Sequence, residues 1–391
     1  MRLWQRLNEL AHHQPSVERL VFSEGYVKAR QLLLEWGTSA GLKPRIDPVG
    51  NLWLLPPHSQ PLLLGSHLDS VPGGGRFDGA LGVLLGLELA ERYPGVAVVD
   101  FIAEESSRFG VSTLGSSVFA GTRSLSEVLA LRDGSGQSFG ELREGLWSDI
   151  ELWDPQPERF SGYLEAHIDQ DTFLRDRQAP LGIVRHIAAP TRWKIQISGQ
   201  SAHSGATPMS ARHDALAAAA ELVLAIEREA LSFSLHELRA TVGYLQIDRP
   251  SPNRIPGSAE LIVDLRSLDA GDPRVFMDRL EGIIQELSAR RGVRISCHQL
   301  SSDPPVSMSK ELSSVLAEAM RLNGLDPLYL ESWAAHDALQ VARRLPAGMV
   351  LVRNQGGVSH SPLEEAQPED LALAQQVLET ALQLHVFKEE P

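Results

Sequence analysis

An α/β layer fold with a mixed, largely parallel central sheet flanked by helices, interrupted by a smaller inserted domain, is what this sequence predicts. Three observations carry that expectation. Short apolar runs alternate with helical stretches in the first and last parts of the chain. The middle switches to strands with alternating polar and apolar residues. Histidine and acidic residues collect at the ends of the apolar runs.

Taken in order, Leu3, Leu7 and Leu10 recur at helical spacing, as do Leu32, Leu33 and Trp36, so the first 40 or so residues read as helices, with Gly41 as a stop. PLLLGSH (61–67), VAVVDFIAEE (96–105), GYLEAHID (162–169) and AGMVLVRN (347–354) read as buried strands, and ALGVLLGLELAERY (80–93) as a helix. Between them, TRWKIQISG (191–199), ATVGYLQI (240–247), AELIVDLRS (259–267) and VRISCHQL (293–300) read as strands. The segments at 211–231 and 273–290 read as helices. The order β-α-β-β-α-β is the split, ferredoxin-like arrangement. The expected organisation is a domain of 1–189 plus 304–391 with an insertion at 190–303, and DPPVS (303–307) as the return linker.

The bulk numbers narrow the function classes. With 391 residues, 43% of them hydrophobic, the chain can bury a sizeable core and exceeds the usual size of one domain. Its formal net charge of −14 and lack of a long Lys/Arg run disfavour a nucleic-acid backbone as partner. The single cysteine, Cys297, cannot form an internal disulfide, so any metal must be held by His and carboxylates. The charged N-terminus lacks an apolar signal core, and no apolar run approaches the ~20 residues of a membrane helix. A cytoplasmic protein is the default expectation.

The strongest functional signal is the position of the polar residues. Ligands of open α/β sheets bind beyond the carboxyl ends of the strands. His67 and Asp69 close one apolar run, and Asp78 follows in the loop GGGRFDGALG. Glu104 and Glu105 close the next run, His167 closes another, and His360 lies in GGVSHSP after the last. Imidazole and carboxylate suit Zn²⁺, with Mn²⁺ or Co²⁺ as substitutes. Asp78 is placed to bridge two ions, which sit ~3.5–4 Å apart in two-metal sites. Asp69, two residues from His67, could accept the second ring N–H and fix the tautomer. Glu104 and Glu105, on an extended backbone, would point to opposite sides and suit different tasks. Isolated histidines such as His12, His58 and His298 read as solvated.

The segments HLDSV (67–71), GRFDGALGV (75–83), AEESSRFG (103–110), HIDQ (167–170), HSGATPM (203–209), NRIPG (253–257), DLR (264–266), HDA (336–338) and GGVSHSPLE (356–364) run in order along nearly the whole chain. Together they resemble the zinc amidohydrolases of the aminoacylase and carboxypeptidase clan. Within it they are most similar to the branch of N-carbamoyl-L-amino-acid hydrolases, allantoate amidohydrolases and β-ureidopropionases. The resemblance implies two divalent metal ions, Zn²⁺ with Mn²⁺ or Co²⁺ as substitutes, one held by His67, Asp78 and His167 and the other by Asp78, Glu105 and His360. It implies Glu104 as general base to a metal-bridging hydroxide. Gln170, His203, Asn253 and Arg266 match substrate-contacting positions, the last three on an insertion that serves the clan as lid and dimerisation domain. A homodimer acting on a small carboxylate-bearing substrate, with hinges near 190 and 303, is thereby expected. Arg266 offers a planar fork to a carboxylate, and alternation puts it on one strand face with Asp264. The chain departs from the branch at Ser106, Asp171, Trp333 and Ala335, where glycine is usual; Trp333 adds an indole to a loop that borders substrate there. A deacylase or dipeptidase of the same clan, and a metal-free binding relative, are the competing expectations. A serine hydrolase is disfavoured by the lack of a Gly-x-Ser-x-Gly elbow.

Overall fold

The computed structural model describes residues 2–12, 17–58, 60–234 and 237–386. The chain divides into two compact units, Met1–His186 with Ser307–Pro391, and Ile187–Val306.

The first unit is built on a nine-stranded sheet. Its centre is parallel: Val96–Asp100, Leu62–Ser66, Gly162–Ile168 and Ala347–Val352 lie side by side in that order. All four are buried along their whole length, which is why each is a nearly unbroken apolar run in sequence. Antiparallel strands flank them. Leu52–Leu55 joins Val96–Asp100 and pairs in turn with Lys43–Ile46, while Leu181–Ile187 joins Ala347–Val352 on the other side. Register aligns the carboxyl ends of the parallel strands, with Ser66 opposite Asp100 and Ile168 opposite Val352.

Helices cover the sheet. Ala80–Ala90 is apolar and buried on every side, as a helix sandwiched in a core must be. Glu24–Ser39 starts at Ser23, whose side chain accepts from the Tyr26 N–H, and ends before Gly41, which has φ +80°. It carries Arg30, a fully buried cation. The Arg30 guanidinium bonds Asp100 Oδ2 at 2.5 Å and the Gly50 carbonyl at 2.7 Å, and it lies over the Trp147 ring. Asp100 Oδ1 then accepts the Leu68 N–H at 2.7 Å, so this buried pair fixes the chain where it leaves the Leu62–Ser66 strand.

The second unit has one antiparallel four-stranded sheet in the order Arg294–Ser302, Ala189–Ser198, Ser258–Ser267, Leu238–Ile247. Helices Ala215–Leu231 and Asp272–Arg291 pack on it through a separate core containing Ile195, Leu222, Leu261 and Leu280. Asp214 caps the first helix, accepting from the Leu216 and Ala217 N–H groups, so that helix begins four residues later than the expected 211. Short strands Ala202–His203 and Arg254–Ile255 pair with each other in a separate two-stranded sheet.

Among the described residues no helix is long and apolar enough to cross a membrane. Several elements were not legible in the sequence: strands Lys43–Ile46, Leu52–Leu55, Leu181–Ile187 and Tyr329–Ser332, and helices Leu114–Phe119, Lys310–Leu322 and Pro368–Val386. One expectation fails outright. The strand beginning at Val96 ends at Asp100, so Glu104 and Glu105 lie beyond it, after Ala103 with its φ of +56°.

Replacing Arg30 with Met should leave Asp100 buried without its partner. The expected loss is about 3–5 kcal/mol of stability, read from the midpoint and slope of urea unfolding.

Candidate metal centre

The carboxyl ends of the four parallel strands bring together His67, Asp69, Asp78, Glu104, Glu105, His167, Gln170 and His360. The loop containing Asp78 follows the Leu62–Ser66 strand and turns into helix Ala80–Ala90 through Gly79, which has φ +64°. A side chain at Gly79 would put its Cβ 2.4 Å from the His67 carbonyl oxygen and 2.5 Å from His67 Nδ1. Only glycine lets this turn lie against the imidazole.

Asp78 sits at the middle. Its Oδ1 lies 3.2 Å from His167 Nε2 and 3.6 Å from His67 Nε2. Its Oδ2 lies 3.5 Å from His360 Nε2 and accepts from Ser359 Oγ at 3.2 Å and Gln170 Nε2 at 3.3 Å. Glu105 Oε1 approaches His360 Nε2 at 3.1 Å. One carboxylate thus turns one oxygen to each of two triads, His67–Asp78–His167 and Asp78–Glu105–His360. Within each triad one potential ligand atom per residue lies within 4.8 Å of the others.

The histidine tautomers are set by main-chain carbonyls. His67 Nδ1 bonds the Asp69 carbonyl at 2.9 Å, and His167 Nδ1 bonds the Ile168 carbonyl at 2.9 Å. Both rings are left with Nε2 toward Asp78, the arrangement in which a metal-facing nitrogen is held by a bond at the other. The Asp69 carboxylate has a different task from the expected one. It is 3.7 Å from His67 Nδ1, and accepts instead from the Glu104 N–H at 3.2 Å and the Glu105 N–H at 3.0 Å.

That capture explains the turn. Ala103, immediately before, has φ +56°, an uncommon conformation for a residue with a side chain. It is held from both sides, because the Ala103 and Glu104 carbonyls accept from Leu114 and Thr113. Thr113 and His360 also have positive φ, 55° and 54°. Such conformations persist where surrounding bonds over-determine them.

Three supports were not singled out from sequence. Glu364 Oε1 accepts the N–H groups of Phe77 and Asp78, tying the His360 loop to the Asp78 loop. Glu165 accepts from Ser66 Oγ, Tyr163 OH and the Ala338 N–H. His336 stacks edge-on against His167, 4.6 Å between centroids, and its Nε2 pairs with Ser332 Oγ at 2.8 Å. Glu165, His167 and His336 form a further His/carboxylate group, in which both Glu165 oxygens and His336 Nε2 carry the hydrogen bonds just described. Glu364 and His336 both lie inside the motifs GGVSHSPLE and HDA, which was the available signal.

The electrostatics of the centre suit a cation. Burial drives the Glu104 carboxyl well above the usual range, and the charges of Glu105, Asp337, Asp69 and Asp78 push the same way. Burial and then the Asp78 charge raise Glu364 to about 8. Burial likewise raises Asp69, with Glu105 adding to it. Burial pushes the His67 imidazole down to about 4. For His167 burial acts downward, but the bond to Asp78 and the charges of Asp78 and Glu165 outweigh it, holding the ring up at about 9. The Glu105 bond raises His360 to about 9. Buried carboxylates repelling one another around imidazole Nε2 atoms are a donor set matched to divalent cations.

The remaining candidates lie in the second unit. His203 and Asn253 are neighbours: His203 pairs with Arg254, and the Asn253 carbonyl accepts the Ser204 N–H at 3.0 Å. His203 Nδ1 accepts from the N–H groups of Gly205 and Ala206, both at 3.2 Å, so its ring proton is on the exposed Nε2. Arg266 lies on one strand face with Asp264, and its Nε donates to Asp264 Oδ1 at 2.9 Å. Asp264 Oδ2 accepts from Arg192 Nε at 3.0 Å. Arg266 stands opposite Pro190, at the far end of the strand from Ser258, which pairs with Ser198 on the His203 side.

Residues 63–384 match the family model for peptidase family M20/M25/M40. The chain belongs to this family and is a hydrolase of it. It is 38% identical to the N-carbamoyl-L-amino acid amidohydrolase of Geobacillus stearothermophilus, over 96% of each chain. It is 32% identical to the ureidoglycolate hydrolase of Arabidopsis thaliana, over 94% of this chain and 82% of that one. Among solved structures it superposes on AtUAH in complex with glyoxylate with a TM-score of 0.85, at 32% identity over 98% and 97% of the two chains. A hydantoinase/carbamoylase family amidase from Burkholderia vietnamiensis gives 0.87, at 30% identity over 97% and 96%.

Gly79→Ala should displace the His67 ring. Calorimetric titration with Mn²⁺ or Zn²⁺ is expected to show metal binding weakened by roughly 10–100-fold, the range for losing a contact that orients a metal ligand.

Proposed function

We propose that this chain is a two-metal, zinc-dependent amidohydrolase that cleaves a linear C–N bond in a small ureido or N-carbamoyl amino-acid-like substrate. The observation that carries the two-metal part is Asp78, which turns one carboxylate oxygen to each of two His/carboxylate triads. His67, Asp78 and His167 would hold one ion, and Asp78, Glu105 and His360 the other. Zn²⁺ suits these donors best, with Mn²⁺ or Co²⁺ as substitutes. Such a pair supplies Lewis acidity, polarising the scissile carbonyl and activating water at neutral pH. Similarity to relatives named for N-carbamoyl-L-amino acids and ureidoglycolate supports the substrate class.

The chain's own residues then have separable tasks. Glu104 is the general base. Its Oε2 lies 3.9 Å from His67 Nε2, and its backbone is pinned by Asp69. It takes a proton from the attacking water and delivers it to the leaving nitrogen. The Gln170 Oε1 is buried without a partner among the described residues, so this amide oxygen is available to orient substrate. His203 presents Nε2–H to the oxyanion that develops at the carbonyl. Asn253 beside it adds a polar contact. Arg266, steadied by Asp264, receives the substrate carboxylate. A carbamoyl substrate and one water give amino acid, ammonia and carbon dioxide.

Distance supports a shared assembly. From Ser258 to Arg266 is eight residues of one strand, roughly 27 Å at the usual rise. That is too far for a small amino-acid derivative to span from Arg266 to His203 within one copy of this unit. A second copy would supply one of the two, in a homodimer with shared sites.

Two experiments test this. Purified Glu104→Gln should lose turnover while retaining close to the two metals per chain that the site calls for; ammonia release from N-carbamoyl amino acids, ureidoglycolate and allantoate is the assay. An active Glu104→Gln protein would remove Glu104 from the mechanism, and amino-acid release from N-acyl substrates without ammonia from any ureido substrate would make the enzyme a deacylase. Secondly, His203→Ala and Arg266→Ala should each be nearly inactive, the latter chiefly through a higher KM. Mixing and refolding the two should recover activity, because half of each mixed dimer then has an intact site. No recovery would refute the shared-site assembly.

A further inference from the structure

Arg19 is a buried cation that the mechanism above does not use. It precedes helix Glu24–Ser39, and only 2% of it is exposed. Its Nε donates to the Leu68 carbonyl at 2.7 Å. Its backbone N–H donates to Ser70 Oγ at 3.0 Å, and its carbonyl accepts the Ser70 N–H at 3.0 Å. These three bonds bracket Asp69, the residue that holds His67 by its carbonyl and the Glu104–Glu105 turn by its carboxylate.

The rest of the guanidinium is idle. Neither Nη1 nor Nη2 has a hydrogen-bond partner among the described residues. Burial holds its pKa below the usual arginine value, against the opposing charges of Asp78, Glu364, Asp69 and Asp100. Asp100 is already neutralised by Arg30. Glu364 is not: its Oε1 serves Phe77 and Asp78, while its Oε2 is buried without a partner. Four buried N–H donors and a buried carboxylate oxygen, all unmatched, are costly to leave so.

A substrate-anchoring role is excluded by burial, because no ligand in solvent can touch this side chain.

We propose that Arg19 is a positioning residue of the metal centre: it secures the Leu68–Ser70 segment and so holds Asp69, and through Asp69 the His67 ring and the Glu104–Glu105 segment, in place. This rests on the two-metal reading. Because Arg19 touches neither substrate nor metal, its removal should lower metal affinity and kcat with little change in KM.

The test is calorimetric titration of the metal-free protein with Mn²⁺, comparing the parent, Arg19→Met and Arg19→Lys, with circular dichroism to verify folding. Arg19→Met is expected to bind Mn²⁺ roughly 10–100-fold more weakly, and Arg19→Lys, which keeps an N–H donor for the Leu68 carbonyl, to recover part of that loss. A folded Arg19→Met protein that binds both ions as the parent does would overturn the role of Arg19 alone. A parent that binds no metal would instead sink the two-metal reading. Should Arg19→Met not fold, hydrogen exchange of the parent decides. Coupling is reciprocal, so Mn²⁺ loading must slow exchange at the Arg19 and Ser70 amides; unchanged exchange there overturns the proposal.

Discussion

Carboxylates crowded at one edge of a buried sheet cannot all keep their charge unless something positive meets them. That constraint organises this molecule. The parallel strands end together, and their aligned ends place Asp78, Glu104 and Glu105 with three imidazoles, all of them buried except His360. Every support around them manages charge. Arg30 neutralises Asp100 below the site, backbone N–H groups meet Glu364 and Asp69, and carbonyls orient the histidine rings. Membership of peptidase family M20/M25/M40 agrees with an edge built for hydrolysis.

The sequence made the sheet centre legible because strands buried on both faces must be apolar throughout, and four such runs are unmistakable. The candidate ligands were legible for the complementary reason: a histidine or carboxylate ending such a run has no place in a packed core. Flanking strands such as Lys43–Ile46 carry neither signal. They are short, half-exposed and mixed in character, and only pairing with a neighbour defines them. The helix Lys310–Leu322 has the right periodicity but no chemistry that drew notice.

The Glu104–Glu105 turn shows where sequence reasoning stops. VAVVDFIAEE reads as one strand because nothing local contradicts it. What ends the strand at Asp100 is distant: the Asp69 carboxylate, 35 and 36 positions back, takes both N–H groups. The same holds for Asp69 itself. Proximity to His67 in sequence pointed to the ring, and it is the residue's carbonyl, not its carboxylate, that meets it. Glu364, far along the chain from Asp78, could be connected to it only in three dimensions.

The left-handed backbone at Ala103 limits which sequences can occupy this position. The residue is fully buried and its φ is 56°. Valine, isoleucine and threonine are barred by their branched Cβ, and larger side chains by the lack of room. Glycine would fit but free the segment to move, separating the base from its ligand neighbour. A position with no chemistry of its own is therefore nearly closed to substitution, and drift there is restricted as tightly as at the residues that do the work.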